Sequence, residues 1–256
     1  MVQCKLCLKH VPKLQNSHFL SKGIYKRLRD ENEKNPNPWV LSKGKAVQTS
    51  KQIRKHLLCM DCEERFNKYG EDWVLSNCLQ EDGSFPLASI LATRSPGVSA
   101  NDNPTRVYYA SSIPEINIAA LAFFAASIFW RGSVFSWNAD GSVPVRLGPF
   151  QEQFRLYLLG LKAFPEDSSL WVAVRKGKEA DRLTHPPISN RMEKFHVHKF
   201  PMPGLVFTLV IGKHIPDNCR TLCLVRGLGN PIFVTTIIEK FIMDTAVKIL
   251  GEKTKI

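Results

Sequence analysis

The chain has 256 residues, of which 44% are hydrophobic, so it can fill the core of one large domain or two small ones and is not largely disordered. Its seven cysteines are an odd number in a chain too long for a small disulfide-stapled secreted domain, which favours a reducing, cytoplasmic location. The net charge of +12 is uneven, because residues 1–58 hold thirteen Lys or Arg against three acids. This concentration favours a polyanionic partner, and the alternative is a merely solvated basic face.

Two cysteine pairs with CxxC spacing lie in the N-terminal quarter of the chain, Cys4 with Cys7 and Cys59 with Cys62. Each pair has the spacing that delivers two thiolates to one metal ion, and four thiolates make a closed, tetrahedral, structural Zn²⁺ site. Because the thiols lose their protons on binding, metal affinity is coupled to folding, and a segment with little core can hold a shape. The alternative is that the four cysteines are unrelated buried thiols.

The residues around the cysteine pairs carry further signals. His18 follows the first pair by about ten residues, Asn35–Pro38 is a loop that its prolines keep out of a helix, and Glu63–Leu75 has a helical pattern. We therefore predict a zinc-binding module over residues 1–80. Residues 81–105 are rich in Ser, Pro, Gly and Asn, which indicates a linker or a long loop.

Residues 106–256 alternate helix and strand signals, which predicts a mixed α+β domain with its own core. Helices are predicted at 115–130, 150–164 and 237–250, and strands at 170–175, 204–211, 221–225 and 232–236. The run 116–130 is apolar nearly all round, which is typical of a buried core helix, and its fifteen residues are too few to cross a bilayer. We therefore expect an α+β fold in which a Cys4 zinc module precedes this domain, with no membrane association.

Two pairs of residues in this second domain can be explained without a functional role. His196 and His198 are two apart and so share one face of a strand, where they form either a metal-binding pair or a solvated pair. The absence of a nearby cysteine or carboxylate favours the solvated pair. Cys219 and Cys223 are interpreted as ordinary buried thiols.

The N-terminal quarter resembles the zinc-stabilised HNH endonucleases. The resemblance covers residues 1–75 and depends on the first cysteine knuckle, the histidine that follows it, and the sequence Leu-Leu-Cys-x-x-Cys that leads into a helix. It implies a treble-clef, or ββα-metal, arrangement in which zinc holds the unit together. A separate divalent cation, Mg²⁺ or another, and a histidine then act on a phosphodiester bond.

Carried over residue by residue, the resemblance implies that His18 is the general base that takes a proton from the attacking water. Glu63 occupies the place of the family's last His or Asn, and a carboxylate there can ligate a hard cation. Asn67, one helical turn further on, is a second candidate on the same face. Two positions depart from the family pattern: Ser17 replaces a common acidic residue, and no asparagine lies shortly before Cys59.

The resemblance and the basic charge together predict a metal-dependent endonuclease that cleaves DNA, with a role in bacterial defence or restriction. The residues expected to contact nucleic acid are Lys22, Lys26, Arg27, Arg29, Lys51, Arg54 and Lys55. The alternative is a non-catalytic, zinc-stabilised module that binds nucleic acid or protein. Residues 106–256 are expected to recognise the substrate, form homo-oligomers or dock to a protein partner.

Overall fold

The computed structural model describes residues 1–29, 34, 36–42, 45–99, 105–137, 143–175 and 184–235. In the N-terminal part the elements are β1 (Val2–Gln3), β2 (His10–Val11), β3 (Asn16–His18), α1 (Lys22–Arg27), β4 (Trp39–Ser42), β5 (Lys45–Gln48), β6 (Arg54–His56), α2 (Met60–Phe66), a π-helical segment (Asn67–Glu71) and α3 (Asp72–Asn77). The elements that follow are α4 (Pro86–Ala92), β7 (Val98–Ser99), β8 (Arg106–Tyr109), a 3₁₀ turn (Ala110–Ser112), α5 (Ile118–Val134), α6 (Phe150–Leu158), β9 (Ser168–Arg175), β10 (Ile188–Arg191), β11 (His196–Met202), β12 (Leu205–Ile211), α7 (Asp217–Thr221) and β13 (Pro231–Thr235).

Three small antiparallel strand pairs build the N-terminal part. β1 pairs with β2, β4 pairs with β5, and β3 pairs with β6, which sets His18 opposite Arg54. The helical stretch from α2 through the π segment to α3 follows directly after β6. A histidine-bearing strand therefore lies beside the strand that leads into the second cysteine pair.

The C-terminal part is built on a seven-stranded sheet with the strand order β10-β11-β12-β9-β13-β8-β7. β9 and β13 are parallel, and the other neighbouring strands are antiparallel. The interior strand β12 is buried along its whole length, so both faces of the sheet are covered at this strand.

The long helix α5 lies between this sheet and the N-terminal helices. Every residue from Ala120 to Gly132 is buried, as expected for a helix that is apolar nearly all round. The ring of Phe124 lies 5.6 Å from that of Phe207 on the sheet side, while Trp130 meets Phe66 edge-on at 6.2 Å on the other side. One continuous cluster of buried apolar side chains therefore joins residues 1–80 to residues 106–235.

The predicted α+β class is confirmed, as are most of the predicted elements of the second part. The strands expected at 170–175, 204–211 and 232–236 correspond to β9, β12 and β13 within a residue or two. The helix expected at 115–130 begins later, at Ile118, because the side chain of Asn117 accepts a hydrogen bond from the Ala120 amide and caps it. The helix expected at 237–250 lies outside the described residues.

Three predictions about local structure differ from the structure. The strand expected at 221–225 is wrong, because the short helix α7, which begins at Asp217, ends at Thr221 and a turn follows it. The helix expected to reach residue 164 ends at Leu158, since Gly160 adopts a positive φ of 74°. The segment 81–105, predicted as a linker or long loop, contains the helix α4.

Candidate functional site

The four cysteines of the two CxxC pairs converge, with their Sγ atoms all within 4.8 Å of one another. The Sγ atoms of Cys7 and Cys59, which are far apart in sequence, lie 3.8 Å apart. Cys4, Cys59 and Cys62 are buried and Cys7 is half-buried. These four residues lie close enough to bind one metal ion, as the spacing of the pairs predicts.

Local backbone structure brings the two pairs together. The first pair occupies the turn between β1 and β2, where Leu8 adopts a positive φ of 62°, and the second opens α2, with Cys59 at its N-cap position. The Cys59 amide donates a hydrogen bond to the Cys4 sulfur at 3.3 Å. Such a bond favours the thiolate, and the pKa of Cys4 is accordingly held well below its usual range by hydrogen bonds from Cys62 and neighbouring amides.

A cleft of about 370 Å³ opens beside the cysteine cluster, between β3, α1 and the helical stretch 60–77. The three residues predicted to be catalytic, His18, Glu63 and Asn67, all line it. The other lining residues are Ser21, Lys22, Gly23, Glu71, Asp72, Leu75 and Arg131. The fold therefore gathers the predicted residues from separate segments into one concave site.

The hydrogen bonds of His18 assign the roles of its two ring nitrogens. Its Nε2 lies 2.7 Å from Oε1 of Gln52, and that oxygen also accepts a hydrogen bond from Arg54 at 2.7 Å. Because an amide oxygen only accepts, the Nε2 atom carries the proton, and Nδ1 is the free acceptor of the neutral ring. Burial, together with the charges of Arg54 and Arg131, lowers the pKa of His18 and keeps the ring neutral at pH 7.

Glu63 lines the cleft, and its carboxylate is incompletely satisfied. Its Oε1 atom is shielded from solvent and has no hydrogen-bond partner among the described residues. Burial raises the pKa of Glu63, while the Ser17 hydroxyl and the Arg131 charge act in the opposite direction. Asn67, one turn along the helix, is exposed at the cleft. A buried carboxylate oxygen without a donor is costly, and a cation in the cleft would satisfy it.

Glu71 and Arg131 form a buried ion pair at the edge of the cleft, and neither is among the site residues predicted from the sequence. The Arg131 guanidinium lies 2.7 Å from the Glu71 carboxylate, and the two side chains are only 2% and 10% exposed. Arg131 also donates a hydrogen bond to the backbone carbonyl of His18 at 3.0 Å. The sequence does contain one indication of this role for Arg131, which follows directly after a long apolar run. A charged side chain is seldom found on a buried helix without a specific partner.

The seven predicted nucleic-acid contacts divide into two groups. Lys22, Lys26, Lys51, Arg54 and Lys55 are exposed, and they lie on or beside the elements that carry His18. Arg29 is half-buried, as is Arg27. The guanidinium of Arg27 is used inside the protein, since it donates to the backbone carbonyls of residues 23 and 75 and to the side chain of residue 80. It ties α1 to α3 and is not part of the exposed basic surface.

Within the part of the chain that the structure describes, no helix has the length and apolar character needed to cross a membrane. Comparison with known proteins finds no match for this chain among family models, curated proteins or solved structures.

Proposed function

We propose that this protein is a metal-dependent endonuclease of the HNH type, which hydrolyses phosphodiester bonds in DNA and carries a structural zinc ion in a treble-clef-like unit. The observation that supports this most directly is the cleft, which is lined both by a histidine with one ring nitrogen left to accept a proton and by a glutamate with a buried carboxylate oxygen that lacks a partner among the described residues.

The cysteine cluster fits zinc in both chemistry and size. Four thiolates are the ligand set of closed structural zinc sites, where the metal–sulfur bond is about 2.3 Å. A regular tetrahedron with that bond length has sulfur–sulfur edges of about 3.8 Å. The Cys7–Cys59 distance is 3.8 Å. Zinc bound here would join the start of the chain to the N-terminus of α2 and so hold β3 and α2 in register around the cleft.

His18 supplies the base in this proposal. Its Nδ1 accepts a proton from water as the oxygen attacks the phosphorus, and Gln52 keeps the ring oriented through the Nε2 proton. Because the lowered pKa leaves the ring unprotonated at neutral pH, the base is ready without a preceding deprotonation. The half-buried position of the ring limits competing contact with bulk water.

Glu63 and Asn67 fit a hard divalent cation, because a carboxylate and an amide carbonyl are oxygen ligands of the type that Mg²⁺ prefers. The partnerless Oε1 atom of Glu63 is the specific observation in favour of this assignment. A cation bound there would neutralise charge on the phosphate and on the leaving oxygen. The exposed bases Lys22 and Arg54 lie next to the cleft and next to His18, where they would hold the strand that is cut.

The test is plasmid nicking by the purified protein with Mg²⁺, Mn²⁺ or Ni²⁺, beside His18→Ala and a control, His10→Ala. His10 is exposed at the start of β2 and lines no part of the cleft. We expect the wild type and His10→Ala to nick at equal rates, and His18→Ala to lose about 100-fold or more while it keeps its zinc.

Two outcomes contradict the proposal. If His18→Ala loses zinc or melts early, the histidine is structural and the base is misassigned. If the wild type retains plasmid on a gel but does not nick it with any of the three cations, the chain is instead the non-catalytic binding module.

A further inference from the structure

Arg131 is the one charged side chain in the buried stretch from Ala120 to Gly132 of α5. It is 1% exposed, and its guanidinium lies 5.1 Å from the centre of the Phe66 ring. Its Nε has no partner among the described residues, so the acceptors of its two terminal nitrogens identify what holds the guanidinium in place.

Those bonds connect three elements at one point. One terminal nitrogen donates to the backbone carbonyl of His18 on β3, and the other donates to Glu71 in the π segment and to Ser127 on α5 itself. β3 carries the proposed base, and the helical stretch 60–77 carries Glu63 and Asn67. The guanidinium is therefore a bridge between the two halves of the cleft, and it comes from the C-terminal part of the chain.

The π segment sets Glu71 in position for this bridge. A π turn contains more residues than the 3.6 of an α-helix, so each residue advances by a smaller angle around the axis. Four α-helical steps overshoot one full turn, and the smaller steps over Asn67–Glu71 offset that drift, so Glu63, Asn67 and Glu71 stay on one face and all line the cleft. Gly70 makes room for the close approach of α5, since a Cβ there would lie 2.9 Å from the Phe124 amide nitrogen.

We infer that Arg131 is a positioning residue for His18, so that the part of the chain after residue 105 completes the catalytic cleft. The inference rests on the proposed function for its catalytic meaning. Its structural content, that Arg131 fixes the backbone of His18 relative to Glu71, stands on the hydrogen bonds alone.

The experiment separates positioning from simple stability. In Arg131→Met the Glu71 carboxylate is left buried without its partner, and we expect a lower melting temperature. In the double variant Arg131→Met/Glu71→Gln no unpaired charge remains, so most of the melting temperature should return. The carbonyl of His18 still lacks its donor in both. Arg131→Lys is a second route, because an ammonium can pair with Glu71 but does not have the planar fork that reaches two acceptors. Arg94→Met, which breaks the exposed pair with Glu115, is the control.

Three readouts are taken on each full-length variant: zinc content with melting temperature, the two-bond ¹H–¹⁵N spectrum of the His18 ring, and kcat and KM for nicking. We expect the double variant and Arg131→Lys to keep zinc, to lose the Nε2–H tautomer signal of His18, and to lose about 100-fold in kcat at nearly unchanged KM. The control should match the wild type in all three.

The inference is overturned if the stable double variant shows the wild-type His18 spectrum, because Arg131 then acts only as a partner for Glu71. The spectrum decides this even if the wild type nicks no plasmid, so failure of the inference and failure of the proposed nuclease activity give different results. If the double variant does not fold, the His18 spectrum of Arg131→Lys is compared with that of the wild type instead, and the same result overturns the inference.

Discussion

His198 on β11 makes the stability of this protein depend on pH, and the size of the effect follows from its surroundings. The side chain is fully buried, and the Ser189 hydroxyl, 2.7 Å from its Nδ1, donates its own proton to the Pro144 carbonyl. The hydroxyl therefore accepts from Nδ1–H, and the second nitrogen, Nε2, is buried with no partner among the described residues. The interpretation of His196 and His198 as a solvated pair is thus wrong for His198.

A second proton on this ring would place a charge where no acceptor meets it. Burial, with a smaller contribution from nearby His196, lowers the pKa of His198 to about 4. In the unfolded chain the pKa returns to about 6.5, so below that pH the unfolded state binds a proton that the folded state does not. Stability is therefore lost as the pH falls from about 6.5 towards about 4, and at pH 5 the loss is about 2 kcal/mol.

The assay is urea unfolding followed by tryptophan fluorescence at pH 7.5 and pH 5.0, on wild type, His198→Gln and the exposed-histidine control His214→Gln. Glutamine does not titrate, so the drop in unfolding free energy between the two pH values should be about 2 kcal/mol smaller in His198→Gln than in the wild type. The control should show the wild-type drop. Equal drops in all three proteins would refute the reasoning, because wild type and His198→Gln differ in this one titrating side chain only.

Cys59→Ser should abolish stoichiometric zinc binding and lower the melting temperature, measured by elemental analysis and calorimetry. Cys78→Ser, which changes a buried thiol outside the cysteine cluster, should keep one zinc per chain. If both variants lose zinc, the four clustered cysteines are not the specific zinc ligands. Neutralising Lys22 and Arg54 together should weaken DNA binding and reduce the slope of log K against log salt by about 2, whereas Lys213→Gln, in the exposed turn that follows β12, should do neither. If the slope is unchanged, DNA binds to a different surface of the protein.

Sequence reasoning succeeded where the signal is local. A CxxC pair fixes two ligands within one turn of backbone, so pairing Cys4 and Cys7 with Cys59 and Cys62 required only that the two turns meet. The burial of α5 can likewise be predicted from its own composition, because the run is apolar nearly all round. The catalytic candidates were found through family resemblance, and the cleft then brought all three together.

What the sequence did not reveal depends on contacts between distant segments. The acceptors of Arg131 lie on β3 and in the π segment, and nothing in the residues around position 131 specifies them. The seven-stranded order and the parallel pairing of β9 with β13 likewise join segments that are far apart in the chain, and no single strand specifies them. The short apolar run 222–225 has the composition of a strand, but it forms the turn after α7.

The position of Arg131 along the chain imposes an order on biosynthesis. All four clustered cysteines have been translated by Cys62, whereas the arginine that bridges the cleft is added roughly 70 residues later, or roughly 4–14 s at the usual rate of peptide synthesis. A nascent chain can therefore bring its four cysteines together before the residue that bridges the cleft exists, and the cleft can be completed only after synthesis has passed position 131.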